Sequence, residues 1–365
     1  MTAPRLLHPI AWWIWATSLA VCALRTTNPV LLCLIIAVAG FVVASRRPDA
    51  PWSRSFASSL RLGAIVIVVR VVFQILFGLR LAGTTLLTLP SVTLPGWAAG
   101  VSVGGPVTAE ALVSAFYQGL RLAAVIACFG AATSLCSPYR TLRVLPSVLY
   151  EAGVAVTVAL TFAPQAVVAA RRVREARRLR GRPDRGPRAW AASALPVLEG
   201  ALDRSIALAA SMDGRGYGRR GSESVARRRA SVAFVLLGLV AAAVGAYGFL
   251  DAGAPAVFRV PAVVLGVASL LVGLRSTTRS SLRSRYRPDP WVLPEWIVAG
   301  SGLVAVVAFL VAGRSGAGLH PSVYPLAVPS VPVLASAGVL VALLPAVIAP
   351  RPPVAVRSNA LAVAA

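Results

Sequence analysis

A run of about 20 apolar residues leaves a chain few choices, because that is the length of helix that crosses a ~30 Å hydrocarbon core. No water is available there, so the backbone must bond to itself. This chain of 365 residues holds a series of runs near that length, separated by loops that carry arginine. The runs are continuous rather than alternating, which argues against a barrel. Only 13% of the residues are charged, about half of what a soluble domain carries. The chain reads as an all-α membrane protein.

Ile10–Leu24, Val30–Ala44, Leu62–Ala82 and Ala111–Leu135 read as the first four spans. Ser231–Leu250, Val257–Leu274, Trp296–Ala312 and Val331–Ala349 read as four more. The loops between them alternate. The segment 45–61 has four arginines and 275–287 has five, whereas 83–109 has none. Basic loops stay on the cytoplasmic side, so about eight transmembrane helices with both termini in the cytoplasm are expected, in the cell membrane. The N-terminus lacks the pattern of a cleaved signal peptide. Val144–Ala170 is long enough to span. A crossing there would put the nine arginines of Arg171–Arg188 outside, so this run is expected to lie along or dip into the inner interface. Leu195, Leu198, Leu202, Ile206, Ala209 and Met212 recur at helical spacing over Trp190–Met212, which reads as an amphipathic helix. Three regions follow: 1–140 and 230–365, each with about four spans, and a cytoplasmic or interfacial region, 141–229, between the fourth and fifth spans.

All 36 basic residues are arginine. Without lysine there is no standard phosphate-binding Walker A loop and no lysine Schiff base. Any nucleotide hydrolysis must come from another chain, and no enzymatic activity, cofactor or metal site is expected of this one. Two histidines far apart make a poor metal site. The four cysteines read as small buried hydrophobes. Arg70 and Gln74 lie one turn apart in the third span, and Arg121 lies in the fourth. A mid-membrane arginine costs ~2.5–3.5 kcal/mol on insertion scales, so each needs a partner or a wet surface. Glu110 and Glu151 are the candidate partners. These five are read as intramembrane polar ties, or alternatively as an ion path.

Five features now stand in order: Gly104–Phe129, Ser134–Gln165, Leu179-Arg180-Gly181, the amphipathic helix, and Gly214-Arg215-Gly216. Together they resemble the transmembrane subunit of energy-coupling factor transporters, the CbiQ/EcfT family. The likeness covers roughly Leu6–Leu250. It implies amphipathic cytoplasmic coupling helices whose two arginine motifs each dock on one of two ATP-binding-cassette ATPases, or on a fused or homodimeric one. It also implies a small membrane protein as substrate-binding partner, which captures a vitamin or transition-metal ion such as cobalt or nickel. Family members often have alanine before each arginine; here Leu179 and Gly214 stand there. Nothing in the resemblance assigns a role to 275–365. Taken from the residues, an arginine at a helix end offers five donors in a rigid fork, and a following glycine lets a partner backbone approach. Membrane lipid is the expected neighbour of Arg171–Arg178. The alternative is a stand-alone secondary transporter with Arg70, Glu110 and Arg121 as its ion path. A basic scaffold for nucleic acid is disfavoured, since Tyr217 and Trp190 are too few to interleave with the arginines.

Overall fold

The computed structural model describes residues 7–48, 50–77, 83–93, 102–144, 150–181, 186–217, 225–250, 256–279, 291–315 and 318–350. They divide into two units, 1–141 with 288–365, and 142–287.

In the first unit, α1 (Pro9–Leu24) and α2 (Pro29–Arg46) each start on a polar cap followed by proline. His8 Nδ1 accepts from Ile10 N at 3.3 Å, and Asn28 Oδ1 accepts from Val30 N at 3.0 Å. The caps satisfy amides that a helix start leaves orphaned, and proline at N1 has no amide to lose. A short 3₁₀ turn, Pro51–Arg54, leads into α3 (Ser55–Phe77). An antiparallel ribbon follows, β1 (Thr85–Thr93) on β2 (Ser102–Thr108), with Thr85 opposite Thr108 and Thr93 opposite Ser102. α4 (Ala109–Leu135) buries Ala111, Ala115, Gly119, Ala123 and Ala127 along one face. Small residues at that spacing let helices approach closely where no hydrophobic driving force separates protein from lipid. A Cβ at Gly119 would stand 3.1 Å from Ile67 Cα on α3. α5 (Pro138–Arg143) closes the stretch.

α10 (Leu293–Arg314), α11 (Val333–Val341) and α12 (Pro345–Ile348) also belong to this unit. Their place departs from the expected four-span C-terminal region, and particular bonds hold it. Trp15 is fully buried and donates from Nε1 to Ala342 O at 3.0 Å. Arg46 Nε and Nη2 donate to Ala346 O at 2.9 and 2.6 Å. Asn28 Nδ2 donates to Gly318 O at 3.1 Å and Ser330 O at 2.7 Å, and Thr26 Oγ1 donates to Leu319 O at 2.6 Å. Glu295 is buried. It accepts from Val292 N at 3.1 Å and His8 N at 3.4 Å, so it caps α10 and binds the start of α1.

The second unit holds two helix pairs, α6 (Tyr150–Leu179) with α7 (Pro187–Gly214), and α8 (Val225–Leu250) with α9 (Ala256–Arg279). In the latter pair, Gly238 and Gly266 face the partner backbone. A Cβ on Gly238 would stand 2.7 Å from Leu270 N, and one on Gly266 2.7 Å from Ala242 N.

Among the described residues, five helices are long and apolar enough to cross a membrane: Pro29–Arg46, Trp52–Phe77, Ala109–Leu135, Gly153–Leu179 and Leu293–Arg314. Pro9–Leu24, Arg229–Gly245, Pro261–Gly273 and Val333–Ile348 are apolar but shorter. The architecture is compatible with an all-α membrane protein, and the four shorter apolar helices overlap the expected spans Ile10–Leu24, Ser231–Leu250, Val257–Leu274 and Val331–Ala349. Gly153–Leu179, which overlaps the run Val144–Ala170 expected at the interface, is among the five by length and composition alone, and its helix runs through Pro164 unbroken. The segment 83–109, read as a loop between spans, carries the two strands of the ribbon at Thr85–Thr93 and Ser102–Thr108. Cys22, Cys128 and Cys136 are buried, but Cys33 is exposed on α2. Exposed Ile65, Val68, Val69, Val72 and Phe73 give α3 an apolar outer face suited to lipid.

Two outcomes are expected. Asn28→Ala removes an N-cap and orphans two carbonyls, so the first unit loses roughly 2–3 kcal/mol, read as a lowered melting temperature in detergent. Gly266→Val pushes α8 from α9. Hydrogen exchange then rises across 225–279 while the amides of α1 and α10 keep their protection.

Candidate functional site

The two arginine motifs share one backbone conformation. Arg180 follows the last turn of α6, and Gly181 has φ +68°. Gly181 N donates to Arg178 O at 3.0 Å. Arg215 is the C-cap of α7, and Gly216 has φ +74°. Gly216 N donates to Asp213 O at 2.8 Å, and Tyr217 N donates to Met212 O at 3.0 Å. The second set is a complete Schellman motif, in which a left-handed residue after the cap turns two amides back onto the last carbonyls. The first set matches it as far as Gly181. The glycine in each motif is therefore required by the backbone, since a β-carbon in the left-handed region costs ~1–2 kcal/mol. This is a reason for glycine separate from room for a partner. Around Gly181, a β-carbon would meet nothing within 4 Å.

The cap uses backbone amides and neither arginine side chain. Arg180 and Arg215 are exposed, and Leu179 is 89% exposed. A β-carbon on Gly214 would also meet nothing. The residues before the two arginines thus present an isobutyl group and no side chain, respectively. Arg215 and Tyr217 line a cleft of about 440 Å³ with Gly153, Thr157, Leu208 and Met212. The cleft places the end of α7 beside the beginning of α6. At the other end of the pair, Arg177 Nη1 donates to Ala192 O at 3.4 Å. The pair is antiparallel, so the two motifs lie at opposite ends of it. The 23 residues from Thr157 to Arg180 put them about 34 Å apart along the axis at 1.5 Å per residue.

α7 carries the expected apolar stripe, and among the described residues none covers it. Leu195, Leu198, Leu202 and Ile206 are each at least 60% exposed. The face toward α6 is built from small residues instead, with Ser193 buried and Val197 and Gly200 half-buried. Arg171, Arg172 and Arg178 are exposed on the last turns of α6, where positive charge complements the helix dipole.

The candidate polar ties do not converge. Arg70 Nη2 donates to Gln118 Oε1, and Gln118 Nε2 donates to Ser114 Oγ at 3.2 Å, a ladder between α3 and α4. Gln74 is half-buried one turn along α3. Arg121 Nη2 donates to Leu24 O and so caps the C-terminus of α1. Glu110 accepts from Thr84 N at 3.1 and 3.0 Å and from Thr84 Oγ1 at 2.9 Å, fixing the base of the ribbon to α4. The Glu110 carboxylate thus binds Thr84, where an arginine was expected. The Glu151 side chain lies outside the described residues. The reading as inter-helix ties fits this geometry better than an ion path does. Sequence reasoning missed Gln118 and Leu24 O because neither carries a charge. It also missed Met212 and Tyr217 as parts of the cap, although Arg-Gly directly after a helical pattern is itself a C-cap signal.

No protein-family model matches this chain, and no curated protein matches it significantly.

Gly216→Ala should strain the cap without touching the arginine. The amides of Gly216 and Tyr217 lose hydrogen-exchange protection, and α7 frays at its last turn. Gly214→Ala leaves both unchanged.

Proposed function

We propose that this chain is the non-catalytic transmembrane coupling subunit of an ATP-driven importer of the energy-coupling factor type. One observation carries the reading. Two arginines, each set out from a helix end by the same glycine cap, stand about 34 Å apart at opposite ends of one helix pair. A single partner groove does not span that distance, whereas two ATPase subunits, or the two halves of a fused one, offer two attachment points. The resemblance of 6–250 to the coupling subunits of this family points the same way.

In this reading each guanidinium enters a groove of one ATPase and donates to carboxylates or to the carbonyl ends of that partner's helices. Closure of the ATPases on nucleotide moves the two ends of the α6–α7 pair. The exposed stripe of α7 passes that motion to a small membrane protein that binds a vitamin or a transition-metal ion. The protein sits in the cell membrane, with the arginine motifs on the cytoplasmic side. A stand-alone secondary transporter gains nothing from the geometry, because Arg70, Glu110 and Arg121 each end on a separate partner.

The test is co-purification in detergent with candidate ATP-binding-cassette ATPases expressed together with this chain. Wild type retains both subunits. Arg180→Glu weakens one attachment and Arg215→Glu the other, each by about 2 kcal/mol or more, as for a truncated interface hot spot. Retention that is equal in all three proteins, or absent even in wild type, removes the coupling reading.

A further inference from the structure

The turn after α1 and the end of α10 build a second cationic site. Arg25, the C-cap of α1, and Arg314, the last residue of α10, line one cleft of about 620 Å³ together with His320, Gly318, Leu319 and Phe309. Both arginines are exposed, and among the described residues no carboxylate lines the cleft. Two guanidiniums facing one space repel. The carbonyl ends of two helices offset part of that repulsion, but a carbonyl end does not use the planar fork of either arginine.

The frame around the cleft is rigid. Thr26 Oγ1 and Thr27 N both donate to Leu319 O, at 2.6 and 3.1 Å. Asn28 Nδ2 holds Gly318 O, and Thr27 Oγ1 lies 3.3 Å from His320 Nδ1. Thr26 and Asn28 are fully buried. The cleft is therefore pre-formed, and the two segments that carry the arginines are held together by a network that does not use their side chains.

Depth narrows the ligand. α1 has 16 residues and α2 has 18, about 24 and 27 Å at 1.5 Å per residue, against ~30 Å of hydrocarbon. Their connecting turn thus lies near the boundary between hydrocarbon and headgroups, where phosphates sit and arginine heads reach out. Phe309 and Leu319 supply an apolar wall beside the charges.

We propose that this cleft binds a phosphate-class oxyanion, either the phosphodiester of an anionic phospholipid or free phosphate. Its arginines belong to the first unit, whereas Arg180 and Arg215 belong to the second, so the proposal stands or falls apart from the coupling reading.

The experiment uses the full chain, purified and delipidated in detergent. One arm measures retention of phosphatidylglycerol against phosphatidylcholine by native mass spectrometry. The other measures the melting temperature in inorganic phosphate against chloride at equal ionic strength. Variants are Arg25→Gln, Arg314→Gln, the double variant, the pair Arg25→Lys with Arg314→Lys, and Arg54→Gln, an exposed arginine outside the cleft. In the arm that holds the true source, one Gln substitution weakens binding about fivefold and two about 25-fold, the equivalent of ~1 kcal/mol per arginine near a membrane surface. The lysine pair falls between wild type and the double variant, because charge is kept and the fork is lost. Arg54→Gln binds as wild type. Preference for phosphatidylglycerol assigns the lipid, and phosphate-dependent stabilisation assigns the free ion. Equal binding by wild type and the double variant in both arms overturns the site, as does an equal loss in Arg54→Gln. Should the double variant fail to fold, the single variants and the lysine pair decide.

Discussion

The first unit depends on donors that reach backbone carbonyls from far along the chain. A helix end leaves carbonyls without intrahelical partners, and in an apolar protein within a membrane they find no water. Arg121 meets that need at Leu24, Arg46 at Ala346 and Trp15 at Ala342. Asn28 does so at Gly318 and Ser330. The first three bonds each join two helices while satisfying a carbonyl, and those of Asn28 fix the start of α2 to the segment between α10 and α11. The chain has 36 arginines and 12 acidic residues, so most arginines could not find a carboxylate. Carbonyl ends take up part of that excess.

The second unit solves the same problem differently. At the ends of α6 and α7, left-handed glycines turn the backbone's own amides onto the last carbonyls. No side chain is needed as a cap, so Arg180 and Arg215 remain available to something outside the chain. The contrast gives the two Arg-Gly pairs a physical meaning. In one unit arginine closes helix ends, and in the other glycine closes them and arginine is presented. Arg25 and Arg314 show a third arrangement, in which a side-chain network not involving them holds two arginines toward a common space.

Much of the helix pattern could be read directly. The caps of α1 and α2 are His8-Pro9 and Asn28-Pro29, local signals a few residues long, and the apolar runs give their lengths. The stripe on α7 followed from spacing alone, and its exposure came only with coordinates. The helix that overlaps Val144–Ala170 also runs past the expected bound, continuing through Pro164 to Leu179, because the arginines that follow are good helix formers. The pairing of arginine with Glu110 failed for a local reason. A carboxylate within an apolar helix suggests an arginine partner, yet the Thr84 amide and hydroxyl stand nearer and bind both oxygens.

The sequence by itself determined that this is a chain of apolar helices with arginine at their ends, because hydrophobic length and capping are local properties. It also set out two arginine-glycine motifs on either side of an amphipathic helix. Only the tertiary structure decided that α10 to α12 join α1 and α2, since Asn28 and Ser330 stand 302 residues apart and carry no mark of one another. It alone decided that the two motifs lie at opposite ends of one helix pair, because that separation arises from antiparallel packing. It alone brought Arg25 and Arg314 to one cleft, by tying the turn after α1 to the loop after α10 through buried Thr26 and Asn28.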